Sequence, residues 1–420
     1  METLNFPPST STPYTAGHYR TPPVNAVWYQ TVDWGRIVVE CLFYLAIGSR
    51  VFAPQLGLLR FTGLSGAMIL ASATICLLVM LSRHEKIPAS VYFALSINVI
   101  ALITDLVWLD TLNRDMIFWL SALLMACFIF REEQAISRGL IFIGACVAGA
   151  LSFNAVYSAE KIGIMRLYLN KEGAGSMFAN ANDLAQIAGV TAVILLFQGI
   201  SRPFMTKLIH YAAALGLAGV TLLTLSRQGV VILGAGFLLY FAALLFKRGR
   251  SLELIIIAAA IAGFTLYNIE NLTEIINGYT YRFTQSSGRT NYWMTAPRDM
   301  QSSFLAGFSS INAYSFDGSL PHSTFLWLHL AFGGVCAWIY ALWVTYLGWQ
   351  TSRFIFGYGN SWPLRIETMT IFLMFLAAQF TTVFAPGNYA FILCVAILES
   401  RFAAQRNRST QPELATMGEK

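Results

Sequence analysis

The chain has 420 residues, of which 56 % are hydrophobic and only 11 % charged, with a mean hydropathy of +0.59. That balance excludes a soluble domain with a polar surface and fits a polytopic helical membrane protein. A formal charge of +6 would suit a nucleic-acid partner in a soluble protein, but here a Lys/Arg excess marks cytoplasmic loops and contact with anionic membrane lipid, so nucleic acid is set aside.

The first 35 residues hold Pro7-Pro8, Pro22-Pro23 and many Ser and Thr, and lack the basic head and apolar core of a signal peptide. They read as a disordered cytoplasmic tail. Apolar runs then predict an all-α bundle of about twelve transmembrane spans, at 36–53, 61–81, 88–109, 115–130, 139–157, 184–200, 206–224, 229–246, 252–268, 323–347, 364–383 and 388–402. The polar end, Gln405 to Lys420, reads as disordered within a second tail, 403–420. All six cysteines lie in apolar segments without a CxxC spacing and read as small buried hydrophobes, which points to neither disulfides nor zinc.

Short basic connections fix the orientation. Arg83/Lys86, Arg131/Arg138, Arg202/Lys207, Lys247/Arg248/Arg250, Arg353/Arg365 and Arg401/Arg406/Arg408 fall on one side, which the positive-inside rule makes cytoplasmic together with both termini. The remaining cations need another reason. Lys161, Arg166, Lys171, Arg227, Arg282, Arg289 and Arg298 sit in three outer connections, 158–183, 225–228 and 269–322, that can converge on one outer face, where a large anion is the obvious partner. The last connection is too long to be structureless and should hold helices along the membrane surface, with Thr290 to Phe304 as the candidate.

Arg227 stands in Leu225-Ser226-Arg227-Gln228-Gly229, a connection so short that its guanidinium is held at the outer mouth between two spans. A permanent charge there either snorkels to the surface or meets an anion. Arg289 lies in Ser287-Gly288-Arg289-Thr290-Asn291-Tyr292-Trp293, where the aromatic pair belongs at the headgroup level and leaves the arginine unexplained. Arg282 and Arg298 carry less signal: Asp299 adjoins Arg298, and Arg282 can meet headgroup phosphate.

His322 stands between Pro321 and Ser323, where the long loop becomes a span. On the side of the arginines, its neutral imidazole can accept a proton from a hydroxyl. His329, two turns on, reads as a core partner. Asn182, in Asn180-Ala181-Asn182-Asp183, caps a helix and can also line the site. Glu40 and Asp105 read as helix-end polar contacts, with a proton path as the costlier alternative. No outer Asp, Glu, His or Cys cluster has ligand spacing, so chemistry without metal or other cofactor is predicted.

At these residues the chain resembles the O-antigen ligase and polymerase family of bacterial envelope glycosyltransferases. The matching pieces are Asn180 to Ala185 as Asn-x-Asn-x-Leu-Ala, Ser226-Arg227, Gly288-Arg289 with Trp293 leading to Gly307, and His322-Ser323 followed by Gly333. They cover the half from Asn180 to Tyr346. The resemblance implies a C-type glycosyltransferase architecture in the inner membrane. Its members move a glycan from undecaprenyl pyrophosphate, on the periplasmic face, to an acceptor hydroxyl on the lipid A core or on another lipid-linked glycan. Carried over, Arg227 and Arg289 bind pyrophosphate, His322 activates the acceptor, and Asn182, Arg282, Trp293 and Arg298 are further site candidates. The ligase pattern breaks at Cys336, where Gly, Thr or Tyr is expected. The rival class is a transporter or flippase, which should show internal repeats and paired charges at mid-membrane depth. A structural membrane subunit, the third option, leaves the outer arginines without a role.

Overall fold

The computed structural model describes residues 33–52, 62–109, 114–131, 133–157, 181–245, 323–357, 360–380 and 389–417, and, between 246 and 322, only 273, 276–280, 298, 300–301 and 307–309. From Gly35 onward these belong to one compact unit. Among the described residues there is no strand. The helices are α1 (Trp34–Phe52), α2 (Thr62–Ser82), α3 (Ala89–Leu109), α4 (Arg114–Ile129), α5 (Glu133–Tyr157), α6 (Ala181–Gly199), α7 (Phe204–Leu223), α8 (Arg227–Leu245), α9 (Thr324–Phe332), α10 (Gly334–Phe356), α11 (Trp362–Gln379) and α12 (Tyr389–Met417). Each apolar run within the described residues is therefore helical, and the run at 252–268 lies outside them.

Three described helices are long and apolar enough to cross a membrane: Ala89–Trp108, Phe204–Leu223 and Arg227–Leu245. Helix α3 shows which solvent the bundle suits. Its outward stripe is Tyr92, Leu95, Val99, Ile103 and Leu106, while Ala94, Asn98, Ala101 and Asp105 are buried. Large apolar groups outside and small or polar groups inside invert the pattern of a water-soluble helix. The protein is a helical membrane protein. Cys41 departs from the buried reading of the cysteines: it is exposed, because it shares the outward stripe of α1 with Val38 and Leu45. The other five cysteines are buried.

Helix α6 is the axis of the bundle. Every residue from Leu184 to Ile200 is buried, Gln186, Thr191 and Gln198 included, and the helix packs against α5, α7, α8, α11 and α12. A second buried layer joins Trp119 to Trp343 in a tilted pair and Trp343 to Phe375 and Phe375 to Phe391 edge to face, tying α4, α10, α11 and α12.

One end of the bundle is a belt of charge-assisted contacts. Arg138 grips Glu40 with two bonds of 2.9 Å, and Tyr44 donates to the same carboxylate, the contacts of a helix-end polar group. Arg36 donates to the Ile129 carbonyl at 2.5 Å, and Arg131 pairs with Glu85. Ser400 donates to the Arg131 carbonyl, and Ser90 donates to Glu399 through Oγ at 2.6 Å and through N at 3.0 Å. Buried Arg401 meets Glu367 at 3.2 Å, Gln198 donates to Glu367 at 2.7 Å, and Arg202 reaches Ser137 at 2.9 Å. These contacts gather the starts of α1, α3, α5 and α11 with the ends of α4 and α6 and the middle of α12, as in an antiparallel bundle. Of the connecting arginines, Arg131, Arg138, Arg202 and Arg401 belong to the set read as cytoplasmic.

Two features differ from the reading by apolar runs. The run 323–347 is not one helix, because α9 and α10 fold against each other at Gly333. Phe325 and Tyr340 would stand about 22 Å apart along a continuous helix, yet their ring centroids are 5.2 Å apart. Gly333, at φ 88° and ψ 170°, occupies a backbone region open almost only to glycine. The stretch from Gln405, expected to be disordered, continues α12 to Met417. Ala403, Ala404, Gln405 and Arg406 are good helix formers that extend a helix already nucleated in the core, and Gln405 is tethered to the Arg353 carbonyl at 3.2 Å.

Candidate active site at the end opposite the belt

With Gln198 in the belt, α6 carries Asn182 of its first turn about 24 Å away, to the other end of the bundle. There the corner between α7 and α8 is built by side-chain caps. Thr224 closes α7 by donating to the Thr221 carbonyl at 2.7 Å, and Leu225 turns the chain at φ 49°. Ser226 then caps α8: its carbonyl accepts from Val230 N at 3.1 Å and its Oγ from Gly229 N at 3.4 Å. The same hydroxyl donates to Asn182 Oδ1 at 3.1 Å, across 44 residues of sequence. A methyl group at Gly229 would lie 2.9 Å from Ala185 Cβ, a measure of how closely α8 starts against α6.

Arg227 is the first residue of α8 and is half-buried. Its charge sits at the positive end of the helix dipole, where backbone N–H groups also lack helical partners. Nothing about helix stability favours a cation there; the guanidinium and the helix dipole together present positive charge to an anion in front of the corner. The helical residues 276–280 rest on this corner, Tyr279 donating to the Leu222 carbonyl at 3.0 Å and Gly278 packing on Leu225.

A second assembly forms at the elbow of α9 and α10. Helix α9 begins after Ser323 and is buried almost all round, and its last carbonyls need partners. Gly333 N donates to the His329 carbonyl at 2.9 Å, Phe308 N to the Leu330 carbonyl at 2.7 Å and Ser309 N to the Ala331 carbonyl at 3.0 Å. Segment 307–309 therefore closes the helix from outside it. Any side chain on Gly307 would overlap the backbone of Ala331 and Phe332. His329 is buried, and its Nε2 lies 2.7 Å from the Met300 carbonyl. Beneath these contacts is an apolar cavity of about 330 Å³, lined by Met300, Ser323, Phe325, Leu326, His329, Ala337, Trp338, Ala341 and Phe380. Trp338, Phe380 and Met300 are exposed at its rim.

Of the residues singled out in the sequence, the structure brings Asn182 to the Ser226-Arg227 corner. Arg298 is exposed on a helical residue beside Met300. Arg282, Arg289, Trp293 and His322 lie outside the described residues. Of the long loop, 273, 276–280, 298, 300 and 301 are helical. Sequence reasoning missed the elbow and the external cap on α9. The Gly333-Gly334 pair was the available signal for the first, whereas backbone hydrogen bonds leave none in composition except the glycine at 307. No family model and no curated protein matches the sequence.

Proposed function

We propose that this chain is a membrane glycosyltransferase of the O-antigen ligase type, with about twelve spans, both termini in the cytoplasm and its site at the periplasmic face of the bacterial inner membrane. It moves a glycan from undecaprenyl pyrophosphate to an acceptor hydroxyl such as one on the lipid A core. One observation carries this reading: sequence pieces that bear the resemblance, though far apart in the chain, touch in pairs at the end opposite the arginine belt. Asn182 bonds to Ser226 beside Arg227, and Gly307 lies against Ala331 and Phe332, which lead into Gly333.

The chemistry follows from the groups. Departure of a lipid pyrophosphate concentrates negative charge, so Arg227, Arg289 and the positive end of the α8 dipole stabilise the transition state more than the ground state. His322 takes the proton of the acceptor hydroxyl as it attacks the anomeric carbon, and the lipid pyrophosphate leaves with the bonding pair. The cavity beside Ser323 suits the apolar chain of a lipid substrate. Neither step calls on a metal or other cofactor.

The test is to incubate purified protein with undecaprenyl-pyrophosphate-linked glycan, with and without lipid A core. Glycosylated core is the expected product. A longer lipid-linked chain would establish the polymerase reading instead, the choice of ligase over polymerase being weakened by the departure from the ligase pattern at Cys336. Unchanged donor in both reactions would contradict the transferase and leave the flippase, assayed by movement of donor across a vesicle membrane.

A further inference from the structure

Ser309 carries two costs that a glycine would not. Its backbone stands at φ 79°, in the left-handed region that L residues avoid, and its side chain is fully buried with Oγ making no hydrogen bond. A strained backbone and an orphaned hydroxyl each weigh about tenfold or more against the conformation that holds them. The segment around Ser309 otherwise fits closely. Phe308 N and Ser309 N donate to the Leu330 and Ala331 carbonyls at 2.7 and 3.0 Å, and Gly307 lies where no side chain would fit.

These bonds are made beside the elbow about which α9 can turn. Leu330 and Ala331 lead into Gly333 at φ 88°, and α9 forms a wall of the apolar cavity through Phe325, Leu326 and His329. At about 330 Å³ that cavity is at the small end of ligand pockets, which span roughly 300–1,000 Å³. A polyprenyl chain needs more room, and a turn of α9 about Gly333 provides it once the carbonyls beside the elbow are let go. We propose that segment 307–309 is a releasable clamp on this elbow: it lets go so that the cavity widens for the polyprenyl chain of the donor, and Ser309 keeps the closed state weak enough to open. The proposal rests on the function argued above for the identity of the lipid, and on residues 307–309 and 324–333 for the moving part. Release relaxes φ and gives Oγ a partner in water, so Ser309 acts on opening more than on the fold as a whole.

The experiment uses the full-length protein in nanodiscs and compares wild type with Ser309→Gly and Ser309→Ala. Ser309→Gly removes both costs, and the freedom that glycine gains on release offsets only part of the gain. Hydrogen exchange, read by mass spectrometry on peptides covering 307–309, should therefore slow by about tenfold or more. Ser309→Ala removes the orphaned hydroxyl alone and should slow exchange by less. Uptake of a fluorescent polyprenyl pyrophosphate without glycan should slow in the same order, with Ser309→Gly the slowest. Exchange in Ser309→Gly as fast as in wild type, or faster, overturns the clamp. Slowed exchange with uptake as fast as wild type overturns its part in admitting the lipid. If wild type binds no polyprenyl pyrophosphate, the reading of the function fails instead, and the exchange rates alone then decide whether Ser309 loosens the clamp.

Discussion

Arg227 faces a helix terminus that repels it, and Thr224, Ser226 and Asn182 hold the corner around it. Removing the guanidinium should therefore spare folding and damage function. Arg227→Ala is expected to insert and melt like wild type while losing about a hundredfold or more in transfer rate, a magnitude seen when one preorganised charge donor is lost. A melting temperature that falls with the activity would assign Arg227 to structure instead. His322 carries the pH dependence. As a base it works only when neutral, so the rate should be full above the ordinary imidazole range, near 6.5, and fall as pH drops through it. A rate flat from roughly pH 5 to 8 would remove the histidine from the mechanism.

At the scale of elements, the elbow at Gly333 and the buried pair in the belt are the places where single changes should be felt. Gly333→Ala forces a Cβ into a backbone region that L residues avoid, a strain of about 1–3 kcal/mol, and should loosen α9 from α10. Thermal unfolding in detergent would register it, and an unshifted midpoint would mean that the elbow is not part of the folded core. Glu367 and Arg401 are 5 % and 10 % exposed in their side chains. Arg401→Met leaves a buried carboxylate without its counter-charge and should cost about 3–5 kcal/mol, whereas the double change Glu367→Met/Arg401→Met should recover much of that loss. A double variant less stable than either single would show that the pair is worth more than the apolar contacts replacing it. Helices such as α6 were legible because an unbroken apolar run has one solution in a membrane. The elbow was not, because the chain is equally apolar on both sides of Gly333-Gly334 and hydropathy cannot see a change of direction. The corner at Ser226-Arg227 was legible as a site through its misplaced charge. Its partner Asn182 was visible only as a helix cap, since the bond to Ser226 depends on α8 starting beside α6.

For the whole molecule, the belt joining Arg36, Arg131, Arg138, Arg202 and Arg401 gives the bundle an electrostatic polarity that the positive-inside rule turns into an orientation. In a Cys41→Ser background, Ser201→Cys should react with an impermeant thiol reagent only after the membrane is opened. Thr280→Cys, beside the α7–α8 corner, should react in intact spheroplasts. The reverse pattern would turn the proposed site towards the cytoplasm and rule out a periplasmic glycan donor. The central claim concerns separate stretches of chain acting on one pyrophosphate, and release of that group reports on it most directly. Purified wild type, Arg227→Ala, Arg289→Ala and His322→Ala, each given undecaprenyl-pyrophosphate-linked glycan and acceptor, should release undecaprenyl pyrophosphate in the wild type alone. Release by all four at equal rates would contradict the account.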